Sequence, residues 1–258
     1  MTDTTLSQPK ASLGVGSIVG DSFSILFGKF LQVVMIAFVP TLIGYLISGL
    51  LNGFGVAIGL EQPQFATPGG GIAFVLSFIV NMAVYSITTA LLVQLAYDAK
   101  LGRPIQIGRY FGPALSTILP LTILSVVAAI LYSIGFVLFV VPGLWIIAVL
   151  SVMAPAVVIE RAGFGGLGRS AALTKGYRWP IVGALLLGLI CVIIINVVTG
   201  FLIGIVVAIG GTVLGLVLFA ALGAIGAGLL SILVALIYAR LREIKEGVSV
   251  DQIASVFD

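Results

Sequence analysis

The chain has 258 residues, of which 60% are hydrophobic and 8% are charged, and its mean hydropathy is +1.30. Soluble domains are about 45–50% apolar and about 25% charged, so this composition excludes a water-soluble globule and predicts an all-α polytopic membrane protein. With no histidine and one cysteine, the chain lacks the residues for a His-based triad, a His-rich zinc site, a redox cysteine pair or an internal disulfide. We therefore expect no cofactor, no metal and no enzymatic activity.

Six apolar runs, taken in chain order, predict six transmembrane helices. An α-helix rises about 1.5 Å per residue, so about 20 residues cross a hydrocarbon core of about 30 Å. The predicted spans are 30–51, 72–97, 120–141, 144–159, 180–209 and 212–239. Residues 1–12 are expected to form a flexible leader. Residues 240–258 are expected to form an ordered cytoplasmic tail of helix, with Gly247 as a helix stop.

The third and fourth spans must be joined by a tight reversal. Residues 111–159 contain no charge, and one straight helix of that length would measure about 73 Å, more than twice the bilayer core. Pro142 and Gly143 are predicted to make the turn, because proline lacks a backbone donor and glycine accepts positive φ. Trp145, just after the turn, is expected at the outer headgroup level.

Other prolines and glycines mark the remaining helix ends. Pro120 and Pro180 are predicted to open spans 3 and 5, because a first-turn residue needs no intrahelical N–H partner. The pair Gly210 and Gly211 is predicted to reverse the chain between spans 5 and 6.

Charge determines the predicted orientation. With six spans, all 12 Lys and Arg residues fall on one side, and positive residues of short loops stay in the cytoplasm. Both termini and the loops 98–119 and 160–179 are therefore expected at the cytoplasmic face of a bacterial inner membrane, and loop 52–71 outside. Generic attraction to anionic lipid and a specific headgroup or protein dock are both open for the basic surface. That surface comprises Arg103, Arg109, Arg169, Lys175, Arg178, Arg240, Arg242 and Lys245.

Three segments that precede the odd-numbered spans predict interfacial amphipathic helices. Residues 13–29, 105–119 and 164–179 each mix glycine, aromatics and basic residues. In the first, Ile18, Phe23, Leu26 and Phe27 can share one face. A repeated unit and a common requirement of the membrane surface both explain the similarity of the three. Nucleic acid is not an expected partner, because no basic run is interleaved with aromatics.

The spans carry few polar groups. Asn81, Gln94 and Asn196 are the main intramembrane amides, and they predict either helix-to-helix hydrogen bonds or substrate contact. No Asp, Glu, Lys or Arg lies in the cores of spans 2 to 6, which argues against ion-coupled transport. In span 6, small residues at steps of four allow close helix packing, either within the chain or in a homodimer. They are Ala220, Ala224 and Gly228.

Three stretches carry a resemblance to a known family. Residues 141–145 (VPGLW), 154–161 (APAVVIER) and 167–179 (LGRSAALTKGYRW) resemble the signature of the glycerophosphoryl diester phosphodiesterase membrane-domain family. Residues 13–30, 101–104 and 241–258 are similar to its stand-alone bacterial members, so the resemblance covers nearly the whole chain. The resemblance implies a polytopic inner-membrane protein without the catalytic domain. The chemistry of that domain relies on histidines, which this chain lacks.

These features lead to two functional expectations. The first is a non-enzymatic scaffold, assembly or regulatory factor of the membrane. The alternative is a transporter or lipid-handling protein. The expected partners are membrane lipids, with anionic headgroups on the cytoplasmic side, and a membrane protein or a second copy of the chain.

Overall fold

The structure, a computed structural model, describes residues 11–65 and 68–247. Over those residues the chain is largely α-helical and contains no strand. The helices are α1 (Val15–Gly28), α2 (Phe30–Asn52), α3 (Phe54–Ala57), α4 (Gly70–Lys100), α5 (Ile107–Leu138), α6 (Val140–Leu150), α7 (Met153–Ile159), α8 (Gly166–Thr174) and α9 (Arg178–Glu246). A 3₁₀ turn at Gly163–Gly165 precedes α8.

Among the described residues, five helical stretches are long and apolar enough to cross a membrane. They are Phe30–Asn52, Gly70–Lys100, Ile107–Leu138, Val140–Ile159 and Arg178–Glu246. The prediction of an all-α chain with membrane-type helices is therefore confirmed. Most of the predicted leader, and the predicted tail beyond Gly247, lie outside the described residues.

The long helix α9 is two helices joined at Gly211. That glycine has φ 78° and ψ 172°, a conformation that only glycine adopts readily. An ideal Cβ on Gly215 would lie 2.4 Å from the side chain of Val207, and one on Gly226 would lie 3.6 Å from Val192. In each of these pairs one residue precedes Gly211 and the other follows it at a similar distance along the chain. The first arm (178–210) and the second arm (212–246) therefore run antiparallel. The predicted reversal at the glycine pair is confirmed.

The reversal between α5 and α6 lies at Phe139, so the prediction at Pro142 and Gly143 is wrong. Phe139 is extended, with φ −168° and ψ 161°, a conformation open to any residue. Pro142 lies in the first turn of α6, where a helix needs no N–H from it. Gly143 is helical and serves packing, because a Cβ on Gly135 would lie 2.9 Å from the Cα of Gly143.

Proline positions explain a second difference. Pro120 lies inside α5, as does Pro113, so the predicted surface helix 105–119 and span 3 form one continuous helix. Membrane helices tolerate internal proline, because neighbouring groups re-satisfy the freed backbone. Pro180 lies in the first turn of α9, as predicted.

Helix α1 packs along α9 and buries Ile18, Ser22 and Leu26. The predicted apolar face included Phe27, which is instead 68% exposed. Ser22 can be buried because its hydroxyl donates to the carbonyl of Ile18 at 2.7 Å. The buried face of α1 therefore includes Ser22 and leaves out Phe27.

The small residues of the second arm of α9 pack within the chain. Ala220 and Ala224 are fully buried. A Cβ on Gly228 would lie 2.5 Å from the side chain of Val33, so α2 approaches the arm closely at this glycine.

Candidate functional site

A cavity of about 210 Å³ lies between α2, α3 and α4. Gly53, with φ 96°, ends α2 and turns the chain into the short helix α3, which borders the cavity. Polar side chains reach it from α2 and from the antiparallel helix α4. The lining residues are Tyr45, Ser48, Asn52, Val56, Ala57, Phe74, Ser77, Phe78 and Asn81.

Two amides and two hydroxyls are linked by hydrogen bonds across this cavity. The amide nitrogen of Asn81 donates to Ser48 Oγ at 2.8 Å and to the carbonyl of Ser77 at 2.7 Å. The amide nitrogen of Asn52 donates to Ser77 Oγ and, at 3.4 Å, to the carbonyl of Ala73. Within the described part of the chain, no donor reaches the Oδ1 atoms of Asn52 and Asn81.

The cavity is uncharged and borders the apolar outer surface. No Asp, Glu, Lys or Arg is among its lining residues. Phe74 and Phe78 line it and are also 40% and 43% exposed, so they connect it to the surface that faces lipid. Tyr45 is held by the ring of Phe219 on the second arm of α9, with centroids 5.1 Å apart. The site can therefore accept a hydrogen-bond donor that arrives from the side.

A second polar site, the charged network, joins three segments at one end of the bundle. Arg169 of α8 binds Glu160, with Nε–Oε2 at 2.6 Å, and also pairs with Glu246. Arg242 pairs with Glu246 at 2.8 Å and lies 3.6 Å from Glu160. The hydroxyl of Tyr238 donates to Glu160 at 2.7 Å. We define the charged network as these five residues.

The network keeps Glu160 ionised. Burial alone raises the pKa of Glu160, but hydrogen bonds from Arg169 and Tyr238 and the charges of Arg169 and Arg242 outweigh burial and hold the pKa below its ordinary value. The hydrogen bond to Glu160 raises the pKa of Arg169. Both partners of this pair are therefore charged at neutral pH.

Hydrogen bonds gather the N-terminal segment at the same end. Arg240 donates to the carbonyl of Ser12 at 3.2 Å. The hydroxyl of Tyr177 donates to the carbonyl of Ala11 at 2.9 Å. Lys245 donates to the carbonyl of Ala172 at 2.6 Å, which ties α9 to α8. We call these residues and the charged network the charged end.

The eight basic residues of the predicted surface are placed in different settings. Arg169 and Arg242 belong to the charged network, and Arg240 and Lys245 are bonded to neighbouring carbonyls. Arg103 follows α4, and Arg109 lies in the first turn of α5. Lys175 and Arg178 lie at the junction of α8 and α9.

The structure brings Trp145 to Arg178, which corrects the predicted position of that tryptophan. The guanidinium carbon of Arg178 lies 4.8 Å from the centroid of the Trp145 ring. The sequence predicts Trp145 at the outer membrane surface and Arg178 at the cytoplasmic surface. Tyr177, next to Arg178, is bonded to the charged end, so Trp145 lies at that end and not at the opposite one. The prediction is wrong because it assumes a turn at the outer membrane surface just before Trp145, followed by a span 4 that crosses the whole membrane.

The three predicted intramembrane amides have three different surroundings. Asn81 lines the cavity. Gln94 donates to the carbonyl of Tyr110 at 3.1 Å and so joins α4 to α5. Asn196 is exposed on the first arm of α9 and donates only within its own helix, to the carbonyl of Val192 at 2.9 Å.

Sequence reasoning missed Ser48, Asn52 and Ser77. The signal was a repeated spacing, because Ser48 and Asn52, like Ser77 and Asn81, stand four residues apart on consecutive spans. Residues spaced by four share a helix face, and two antiparallel helices can bring such faces together.

The long apolar helices and the uncharged polar cavity are typical of an all-α membrane protein. No family model, curated protein or solved structure matches the chain. The resemblance to the glycerophosphoryl diester phosphodiesterase membrane-domain family therefore stays a prediction.

Proposed function

We propose that this chain is a non-enzymatic lipid-handling protein of the bacterial inner membrane, which holds the hydroxyl-bearing end of a neutral lipid in the cavity between α2, α3 and α4. The observation that carries the proposal is the uncharged cavity in which two amide oxygens lack a donor among the described residues. A lipid hydroxyl supplies the missing donor, and unmade hydrogen bonds in an apolar setting are costly.

Size and charge restrict what the cavity can hold. A volume of about 210 Å³ is smaller than the about 300–1,000 Å³ of typical ligand pockets, so the cavity admits a polar end group and not a whole lipid. The acyl chains then lie outside, along Phe74 and Phe78, whose rings are partly exposed. A phosphate is disfavoured, because none of the described residues that line the cavity is a cation that could offset its desolvation.

The proposed topology keeps six membrane-embedded segments and both termini in the cytoplasm. Helices α2 and α4 and the two arms of α9 are each long enough to cross. Helices α5, α6 and α7 form a hairpin that returns the chain to the charged end. Ser170 Oγ donates to the carbonyl of Val149 at 2.7 Å, and Val149 lies ten residues after the turn at Phe139.

That hydrogen bond limits the depth of the hairpin. Ten helical residues measure about 15 Å, so the turn at Phe139 lies about 15 Å from the part of α6 that contacts α8, short of a core of about 30 Å. Both ends of the hairpin lie on the same side of the membrane. The hairpin therefore does not alter the orientation that the basic residues indicate.

Diacylglycerol, a neutral lipid with one free hydroxyl, tests the cavity. The purified full chain is depleted of lipid, and native mass spectrometry then measures binding to Asn81→Leu, Ser48→Ala and the parent. We expect Asn81→Leu to weaken diacylglycerol binding about tenfold, since one buried hydrogen bond is lost. Ser48→Ala, a smaller change that orients Asn81 less well, should weaken it less.

Asn196→Leu is the matched control, because it makes the same chemical change on the lipid-exposed first arm of α9. It should bind diacylglycerol as the parent does. Equal affinities of Asn81→Leu and the parent, or equal losses in Asn81→Leu and Asn196→Leu, would contradict the proposal.

A scaffold, assembly or regulatory role is the second candidate. The observation that favours it is the charged network, which fixes α7, α8 and the end of α9 into one surface. In mild-detergent purifications, a stoichiometric membrane-protein partner should be retained by Asn81→Leu and lost by Arg169→Gln. Recovery of the parent chain alone under every expression condition contradicts this role.

A further inference from the structure

The basic residues of the charged end divide into two groups. Arg169, Arg240 and Arg242 are paired with carboxylates, and Lys245 is bonded to a backbone carbonyl. Lys175 and Arg178 have no carboxylate and no hydrogen-bond acceptor among residues 11–65 and 68–247. Two cations near the start of α9 are therefore available for an external anion.

Arg178 is held in a fixed position without being neutralised. Its guanidinium carbon lies 4.8 Å from the ring centroid of Trp145, and the ring of Trp179 lies edge-on to Trp145 at 5.8 Å. Its Nε is buried and has no partner in the described part of the chain. A cation–π contact orients a guanidinium but leaves its N–H donors unused. The Nη groups of Arg178 have no hydrogen-bond partner among the described residues and are not buried, so they can donate to an external acceptor.

The surrounding backbone adds to the attraction for an anion. Arg178 is the first residue of α9, and the backbone N–H groups of Arg178 and Trp179 have no hydrogen-bond partner among the described residues. The hydrogen bond from Tyr177 to Ala11 fixes the loop that carries Lys175. The positions of the donors are therefore set before any ligand arrives.

The position of the site indicates a lipid rather than a soluble anion. Trp179 is 58% exposed, and Leu186 and Leu187 of the following turns are 38% and 46% exposed on the apolar surface. Tryptophan is enriched at the headgroup level of membranes, where lipid phosphates lie. We propose that Lys175, Arg178, Trp145 and Trp179 form a binding site for the phosphate of an anionic phospholipid. This site does not depend on the cavity, which is formed by other helices.

The planar fork of arginine matches a phosphate diester through two parallel hydrogen bonds. Lys175 supplies a second positive charge, so a lipid with net charge −1 is preferred over a zwitterionic one. The tryptophan rings contact the glycerol region. These contacts would hold a single lipid in one position, which differs from a diffuse layer of anionic lipid around the protein.

The test uses the purified full chain and native mass spectrometry with phosphatidylglycerol and phosphatidylethanolamine. We expect the parent to prefer phosphatidylglycerol, and Arg178→Gln and Lys175→Gln each to weaken its binding about fivefold. Arg178→Lys keeps the charge but loses the fork, and should also bind more weakly than the parent. Lys29→Gln is the matched control, because it removes one exposed positive charge outside the site. It should bind as the parent does.

Three results would overturn the proposal. Equal losses in Lys29→Gln and Arg178→Gln would indicate diffuse attraction, and unchanged binding in Lys175→Gln and Arg178→Gln would indicate no site. Displacement of phosphatidylglycerol by excess inorganic phosphate would indicate a site for soluble anions. Lys175 is exposed, so Lys175→Gln keeps the test valid if a change at Arg178 prevents folding.

Discussion

The carboxylate of Glu160 accepts hydrogen bonds from Arg169 on α8 and from Tyr238 on α9, and its side chain is 19% exposed. Because these partners lower its pKa, the folded state holds the ionised form more strongly than the unfolded state does. The resulting stability is present above the unfolded pKa of about 4.3 and is lost as pH falls through the lower folded pKa.

We therefore expect the thermal unfolding midpoint in detergent to fall as pH drops below about 4.3. At neutral pH, Glu160→Gln should lower the free energy of unfolding by about 2 kcal/mol, because Arg169 loses a charged partner. Its midpoint should then fall less in acid than that of the parent. Glu61→Gln, which removes an exposed carboxylate elsewhere, is the control and should keep the parent's acid sensitivity. An unchanged acid response in Glu160→Gln contradicts the assignment.

For individual residues, the sequence indicated which side chains belong to polar sites better than it indicated which residues they contact. The basic residues at 169, 240, 242 and 245 and the amide at 81 were recognised, but the acidic partners and Ser48 were not. Glu160 and Glu246 are far apart in sequence, and only the packing of α8 against α9 brings them to one arginine. Such contacts depend on tertiary arrangement, which local pattern does not contain.

Among the elements, the two reversals show when glycine and proline are informative. Gly211 needs a conformation that side chains resist, so a glycine pair in an apolar run predicted the turn correctly. The turn at Phe139 uses an extended conformation that any residue adopts, so no residue type marks it. Pro142 and Gly143 follow this turn by three and four residues, and because these residue types are typical of turns, the turn was predicted at them.

We expect Gly211→Ala to lower the free energy of unfolding by about 1–3 kcal/mol, because alanine is strained at φ 78° and ψ 172°. The midpoint of unfolding in sodium dodecyl sulfate measures the change. Gly204→Ala, on the adjoining first arm of α9, is the control, since its Cβ would meet no atom within 4 Å and its φ is not positive. It should match or slightly exceed the parent. Equal stability of the two variants would mean that the turn is not strained by a Cβ.

For the molecule as a whole, labelling of single cysteines in a Cys191→Ser background tests the topology. We expect an impermeant thiol reagent to label Gln62→Cys from outside the cell, and not Thr174→Cys, because the basic loops are retained in the cytoplasm. Val140→Cys at the hairpin turn should also be unlabelled from outside, since the turn is short of the far surface. Outside labelling of Val140→Cys would establish six full crossings, and outside labelling of Thr174→Cys would overturn the orientation.

The charged network has a consequence for the order of events during synthesis. Glu160 and Arg169 are synthesised before their partners Tyr238, Arg242 and Glu246, which lie near the end of α9. At about 5–20 residues per second, the 77 residues from Arg169 to Glu246 take about 4–15 s to make. Throughout that interval Arg169 has one of its two carboxylates, and the carbonyl of Ser12 lacks Arg240. The charged end therefore closes only after the end of α9 has been made, and a chain that stops before Tyr238 lacks the contacts that Tyr238, Arg242 and Glu246 make with Glu160 and Arg169.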